Sequence, residues 1–366
     1  MKSVLAVIGT RPEAIKMCPL IKALRKENGF QTKVAVTGQH REMLENVLRE
    51  FRVTPDIRME IPTTHTALTD LHASLISQVG AVLKAERPDL VLVHGDTATA
   101  FASALAAFFE RIPIGHVEAG LRTMRVDRPF PEEMNRRVIS MLSDLDFAPT
   151  EEAYRLLLEM GKKRVFYTGN TVADAVQETA SADFDHPILE RARGKRLILC
   201  TVHRRESLGD GMERMFRAVY RIAREEENVH IVIPLHKNPL VREAAERATE
   251  GKTPVGVELC EPLGVLECHN LLLRSTLVLT DSGGLQEEAA ICGVPVMILR
   301  EETERPEILR AGMGFLCGDD EGYIAHVAHA LLSDEAFYQR HRKKMNLYGD
   351  GCASEKITKI IAEFFS

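Results

Sequence analysis

Short apolar runs alternate with helix-spaced patterns from one end of the chain to the other. In the first half, strands are predicted at residues 3–8, 33–37, 90–94, 114–118 and 147–149, with helical patterns at 14–26, 41–51, 68–86, 99–111 and 132–142. After a polar stretch around 181–194 the alternation restarts. Strands are expected there at 196–201, 230–234, 256–259, 276–280 and 295–299, and helices at 211–226, 239–249, 266–273, 284–292 and 304–311. Runs such as LVLVH, LILCT, HIVIP and TLVLT are apolar on both faces, as strands are when helices cover a parallel sheet on each side. Two such arrays predict an α/β chain of two doubly wound, Rossmann-like domains, 1–175 and 176–350. Residues 351–366 are expected to form a terminal helix packing back on the first domain.

Composition narrows the class. A length of 366 residues suits two ordinary cores, and the net charge of -6 offers no electrostatic case for a nucleic-acid or membrane partner. The apolar run from Ser3 to Gly9 is too short for a signal peptide, and no run approaches a membrane span. Seven cysteines (18, 200, 260, 268, 292, 317 and 352) are scattered and never form C-x-x-C. That usage predicts reduced thiols in a cytoplasm and argues against structural zinc.

The chemically interesting residues share one placement: each follows the carboxyl end of a predicted strand. They are Arg11, Asp96 and Glu118 in the first half, then His203, His236, Ser282-Gly283-Gly284 and Arg305 in the second. Open parallel sheets bind ligands at that edge. Two such edges facing each other predict an interdomain cleft with carboxylates on one wall and histidines and a glycine turn on the other. In GTRPEAIK, Arg11 and Lys16 are either solvated charges on an ordinary strand–helix turn or a pair awaiting an anion. In LVLTDSGGLQEEA the turn leads into a helix whose free N–H groups attract phosphate, with Glu288 one turn on as a ribose acceptor. Helix capping by Asp281 or Ser282 is the alternative reading. Asp96 and Glu118 could likewise each cap a helix. Three carboxylates gathered in one cleft, with Glu132 of FPEEMNRR as the third, would instead suit general acid–base work. No G-x-G-x-x-G follows a strand and no G-x-x-x-x-G-K-[ST] occurs, so a nucleotide is expected as substrate, with no cofactor. No metal is expected either: H-E-x-x-H is absent and Arg and Lys flank the histidines.

Nine ordered motifs, GTRPEAIKM, QHREML, VLVHGDT, GHVEAGLRT, FPEEMNR, TGNTV, HRRES, TDSGGLQEEA and TERPE, make the chain similar to the non-hydrolysing UDP-N-acetylglucosamine 2-epimerases from residue 4 to about 355. The resemblance implies a glycosyltransferase-B type fold without glycosyltransferase activity. It implies reversible conversion of UDP-N-acetylglucosamine to UDP-N-acetylmannosamine for surface polysaccharide, by elimination of UDP to 2-acetamidoglucal and re-addition, in a homodimer. Asp96, Glu118, Glu132 and His203 are then the catalytic set. Arg11, Lys16, Arg136, His236, Leu263, Ser282, Gly283, Gly284, Glu288 and Arg305 hold the UDP sugar, and Gln39 and His40 belong to an allosteric region. The chain departs from the family pattern at PLGVLECHN, where Val265 and Cys268 replace aromatic residues, and at His65-Thr66. The competing readings are an epimerase of a modified UDP sugar such as a 2,3-diacetamido uronic acid, a hydrolysing epimerase, a glycosyltransferase, and a nucleotide-sugar sensor.

Overall fold

The computed structural model describes the chain apart from residues 39–40, 62–66, 124, 205–206 and 250–251 and the side chain of Arg41. It divides into two compact units, Met1–Glu178 with Tyr348–Ser366, and Thr179–Leu347. Among the described residues, no helix is long and apolar enough to cross a membrane.

The first unit is built on seven parallel strands: β1 Lys2–Ile8, β2 Phe30–Val36, β3 Ile57–Arg58, β4 Leu90–His94, β5 Ile114–Val117, β6 Leu145–Ala148 and β7 Val165–Tyr167. Their spatial order is β3-β2-β1-β4-β5-β6-β7. The run LVLVH is buried at every position, because helices cover both faces of β4. Leu5, Val7, Val91 and Val93 gather there with Leu75, Val79, Ala100 and Ala104 of the covering helices.

The second unit repeats the plan with six parallel strands: β8 Arg196–Thr201, β9 Val229–Pro234, β10 Val257–Cys260, β11 Leu277–Thr280, β12 Val296–Ile298 and β13 Gly314–Leu316. Their order is β10-β9-β8-β11-β12-β13. Both units are therefore Rossmann-like, as the alternation predicts. Each sheet reverses its direction of growth once, between β1 and β4 in the first and between β8 and β11 in the second. At such a reversal the two connections leave toward opposite faces and open a crevice at the strands' carboxyl ends.

The chain re-enters the first unit through two glycines. Gly169 has φ of +85° and Gly349 of +102°, and a Cβ on Gly169 would stand 3.0 Å from the Gly349 Cα, so the two backbones approach as only glycines allow. Asn170 N–H donates to the Tyr348 carbonyl at 2.8 Å. The terminal helix Ala353–Phe365 then packs on helix Arg11–Lys26, with the Phe365 ring edge-on to Phe30 at 5.6 Å. Asp174 accepts from the Ala353 and Ser354 N–H groups at 3.2 and 2.7 Å, which satisfies donors that the start of that helix leaves open.

Candidate active site

In the first unit the reversal lies between the turn after β1 and the turn after β4. Gly9 is required by crowding: a Cβ there would stand 2.0 Å from Thr99 Oγ1 and 2.7 Å from Thr37 Oγ1. Thr10 caps helix Arg11–Lys26 in a reciprocal box with Glu13, so Arg11 is the first helical residue at the crevice edge. The Glu13 carboxylate accepts from Gly9 N–H at 3.0 Å, Thr10 N–H at 2.7 Å and, from the β4 side, Thr97 Oγ1 at 2.8 Å. One buried side chain thus ties together the two turns that frame the crevice.

Burial pushes the Glu13 carboxyl up to about 7, against the bonds from Thr10, Thr97 and Gly9 that pull it down. The folded chain keeps that proton toward pH 7, while the unfolded chain releases it near 4.5. The folded state therefore binds more protons in this window. The associated stability is fully present below pH 4.5 and is lost as pH rises through 7, by up to about 3 kcal/mol. A Glu13→Gln variant retains an oxygen for the two backbone donors and an amide for Thr97. Urea denaturation at pH 4.5 and 7 is expected to show a smaller difference in first-unit stability for the variant than for the unaltered chain; equal differences would overturn the assignment.

Glu118 follows β5 directly and adopts φ of +62°, a left-handed conformation that is uncommon for a residue with a side chain and that clusters at functional positions. No helix starts there, so capping does not explain it. Its Oε2 is paired with Lys16 Nζ, accepts from Asn170 Nδ2 at 2.8 Å, and lies 3.9 Å from His94 Nε2. Burial pushes the His94 imidazole down to about 4, so it stands neutral beside the ion pair. His116, pushed down to about 3 by burial, meets the Gly95 carbonyl with Nε2 at 2.7 Å and so pins the turn that carries Asp96. Asp96 is paired with Arg136, and its carbonyl accepts from Asn135 Nδ2 at 2.9 Å. Thr97, not Asp96, caps the helix that follows. Glu132 opens helix Glu132–Leu142, which also carries Asn135 and Arg136.

In the second unit the reversal lies between the turns after β8 and β11. Asp281 is wholly buried there. Its Oδ2 accepts the N–H groups of His203 and Arg204 at 2.7 and 2.8 Å, and its Oδ1 lies 3.1 Å from His203 Nδ1. Burial raises this carboxyl, but the His203 contact and charge and the two backbone donors together hold it below the usual carboxylate range. The His203 and His236 rings stack at 5.8 Å, and His236 Nδ1 accepts from Asn238 N–H at 3.1 Å. Ser282 caps helix Gly283–Cys292. Arg305 presses on Gly283 from behind, with Nε donating to Glu287 at 2.7 Å and Nη1 to Glu304 at 3.3 Å.

A family model described as UDP-N-acetylglucosamine 2-epimerase matches residues 22–362. A Bacillus subtilis protein named UDP-N-acetylglucosamine 2-epimerase is 46% identical over 97% of this chain and 94% of its own length. The chain belongs to that family. Among solved structures, a Listeria monocytogenes protein described as a UDP-N-acetylglucosamine 2-epimerase is similar with TM-score 0.95 at 45% identity, over 100% of this chain and 96% of that one. The Neisseria meningitidis UDP-GlcNAc 2-epimerase, solved bound to UDP-GlcNAc, gives TM-score 0.93 at 40% identity, over 99% of this chain and 100% of that one.

Within this 2-epimerase framework the structure groups the residues singled out from sequence. Arg11, Lys16, Asp96 and Glu118 stand on the turns and first helix of one sheet edge, with Glu132 and Arg136 on the adjoining helix. His203, His236 and Ser282–Gly284 stand on the other sheet edge. Leu263 lies buried in the connection after β10. Glu288 is buried, with its Oε2 3.5 Å from His269 Nε2. Lys16 is paired with Glu118, and Arg305 with Glu287 and Glu304. Gln39 and His40 lie outside the described residues. Sequence reasoning did not select Glu13, His94, Asn170 or Asp281. Signals existed for each: Glu13 lies in GTRPEAIK, His94 and Asp281 sit at strand ends, and Asn170 lies in TGNTV. Among the described residues, no group of three His, Cys, Asp or Glu side chains is placed to hold a metal ion.

Proposed function

We propose that the chain interconverts UDP-N-acetylglucosamine and UDP-N-acetylmannosamine by inverting C2 of the sugar without net hydrolysis. The observation that carries this reading is the chemistry gathered at the two sheet reversals. One has a strained, ion-paired carboxylate on the turn after β5 and Asp96 on the turn after β4, and the other has a histidine anchored on a buried aspartate next to a glycine-rich helix start.

The reaction needs such groups because the C2 proton has no adjacent carbonyl to acidify it. Its removal is therefore coupled to loss of a good leaving group. The C2–H electrons form the C1=C2 bond while the C1–O bond breaks, and its electron pair passes to the β-phosphate oxygen. This yields 2-acetamidoglucal and UDP. In the return step the phosphate oxygen attacks C1 and a proton reaches C2 from the opposite face. Two faces require more than one proton-transfer group, and Asp96, Glu118, Glu132 and His203 form that set. Charge growing on the leaving diphosphate is met by Arg11, His236 and the N–H groups of Gly283 and Gly284, donors that act most strongly in the transition state, while the Ser282 N–H is given to Thr280 Oγ1 at 2.9 Å. Lys16 holds Glu118 in place, and Arg305 supports the phosphate turn.

Incubation with UDP-N-acetylglucosamine in D2O, followed by NMR, tests the reading. Deuterium at C2 together with a manno product is expected. Anomeric transfer without C2 exchange, release of free sugar as the sole outcome, or binding without turnover would each overturn it.

A further inference from the structure

Asp281 poses a problem that its neighbours solve in only one way. Its carboxylate is fully excluded from solvent, a position that is costly unless both oxygens are bonded. Oδ2 is satisfied by the His203 and Arg204 N–H groups. Oδ1 has no hydrogen-bond donor well aligned on it, and the polar atom facing it is His203 Nδ1, 3.1 Å away. A carboxylate oxygen can only accept, so the imidazole nitrogen that faces it must bear the proton.

We infer that Asp281 is a positioning residue that fixes His203 as its Nδ1–H tautomer, leaving the Nε2 lone pair as the ring's proton acceptor. The three contacts form a clamp: two backbone bonds hold the loop after β8 against the end of β11, and the third orients the ring. Stacking on His236 restricts the ring from a second direction. The same carboxylate stabilises the imidazolium that forms when Nε2 takes a proton, as the acidic member does in hydrolase triads. This catalytic consequence rests on the reading that His203 attends the reacting sugar. The tautomer itself does not.

Asp281→Asn separates the two functions of the carboxylate. The amide oxygen still accepts both backbone donors, but the NH2 group now faces Nδ1 and demands an acceptor there. The ring is driven to Nε2–H, so its outer nitrogen can no longer take a proton. Histidine-labelled 15N NMR at mildly alkaline pH, with the His203 signal assigned by its loss in His203→Gln, is expected to show Nδ1–H in the unaltered protein and Nε2–H in the variant. C2 exchange in D2O is expected to lose about 10²-fold in kcat while KM for UDP-N-acetylglucosamine stays within about twofold. A His203 that carries its proton on Nε2 in the unaltered protein overturns the inference without any variant, and so does an Asp281→Asn variant whose His203 keeps Nδ1–H; unchanged kcat in the variant would overturn the catalytic consequence alone. If the unaltered enzyme exchanged no C2 proton, the functional reading would fail, and the NMR result would still decide the tautomer.

Discussion

Replacing Glu118 by Gln is expected to lower kcat for C2 exchange by about 10³-fold and to destabilise the first unit at the same time. The substitution keeps the side chain's shape and leaves an oxygen for the Asn170 amide, but it removes the group that can take up or release a proton. It also removes the Glu118 charge from beside Lys16. Lys16 is only 6% exposed, and breaking a buried ion pair from one side costs about 3–5 kcal/mol. The two effects have separate causes and can be pulled apart. In a Lys16→Met, Glu118→Gln double variant the buried pair is gone as a unit, and replacing a whole pair by neutral groups of similar volume is nearly neutral. Stability measured by urea denaturation is then expected to recover most of the loss, while deuterium incorporation at C2 stays low. Glu118→Gln with unaltered turnover would remove Glu118 from the acid–base set. Recovery of turnover along with stability would show that its role was only to neutralise Lys16.

The positions of these groups were legible in sequence because a parallel sheet buried on both faces writes its strands as unbroken apolar runs. The residue that follows each run is where a ligand can be met. That rule located Arg11, Asp96, Glu118, His203 and Ser282. It did not locate β3, β7 or β13, whose two or three residues are too few to show any period. Nor did it reveal what holds each group. Glu118 meets Asn170 from 52 positions away, and His203 meets Asp281 from 78 positions away. Such pairings are decided by which strands become neighbours, and strand order is not written locally. Asp96 and Ser282 show why capping and chemistry compete in a sequence reading. Each precedes a helix, yet only Ser282 caps one, because Thr97 takes that place beside Asp96.

Gly283 shows a different limit, since its reason lies behind the turn and not in front of it. The sequence offers phosphate approach as the cause for glycine. The structure adds a packing cause, because a Cβ at 283 would stand 2.5 Å from Arg305 Nη1 and 2.9 Å from its Cζ. A flexible arginine tip could ordinarily swing aside, but this one is bonded to Glu287 at 2.7 Å and Glu304 at 3.3 Å, and both carboxylates are buried. Burial raises the Glu304 carboxyl, yet the charge of Arg305 and the bond and charge of Arg300 outweigh it and hold the group at about 2, so it depends on these cations. Gly283→Ala is therefore expected to destabilise the second unit by about 3 kcal/mol, through displacement of the guanidinium from two buried acids. Affinity for UDP is expected to fall with it, because the helix start moves with the turn. The decisive measurement is a double-mutant cycle by urea denaturation. In an Arg305→Ala background the space beside Gly283 is already open and Glu287 and Glu304 have already lost the Arg305 guanidinium. The same Gly→Ala change should then cost less than about 1 kcal/mol. An equal cost in both backgrounds would mean that the glycine answers to the backbone or the ligand alone, and that Arg305 has no part in shaping the turn.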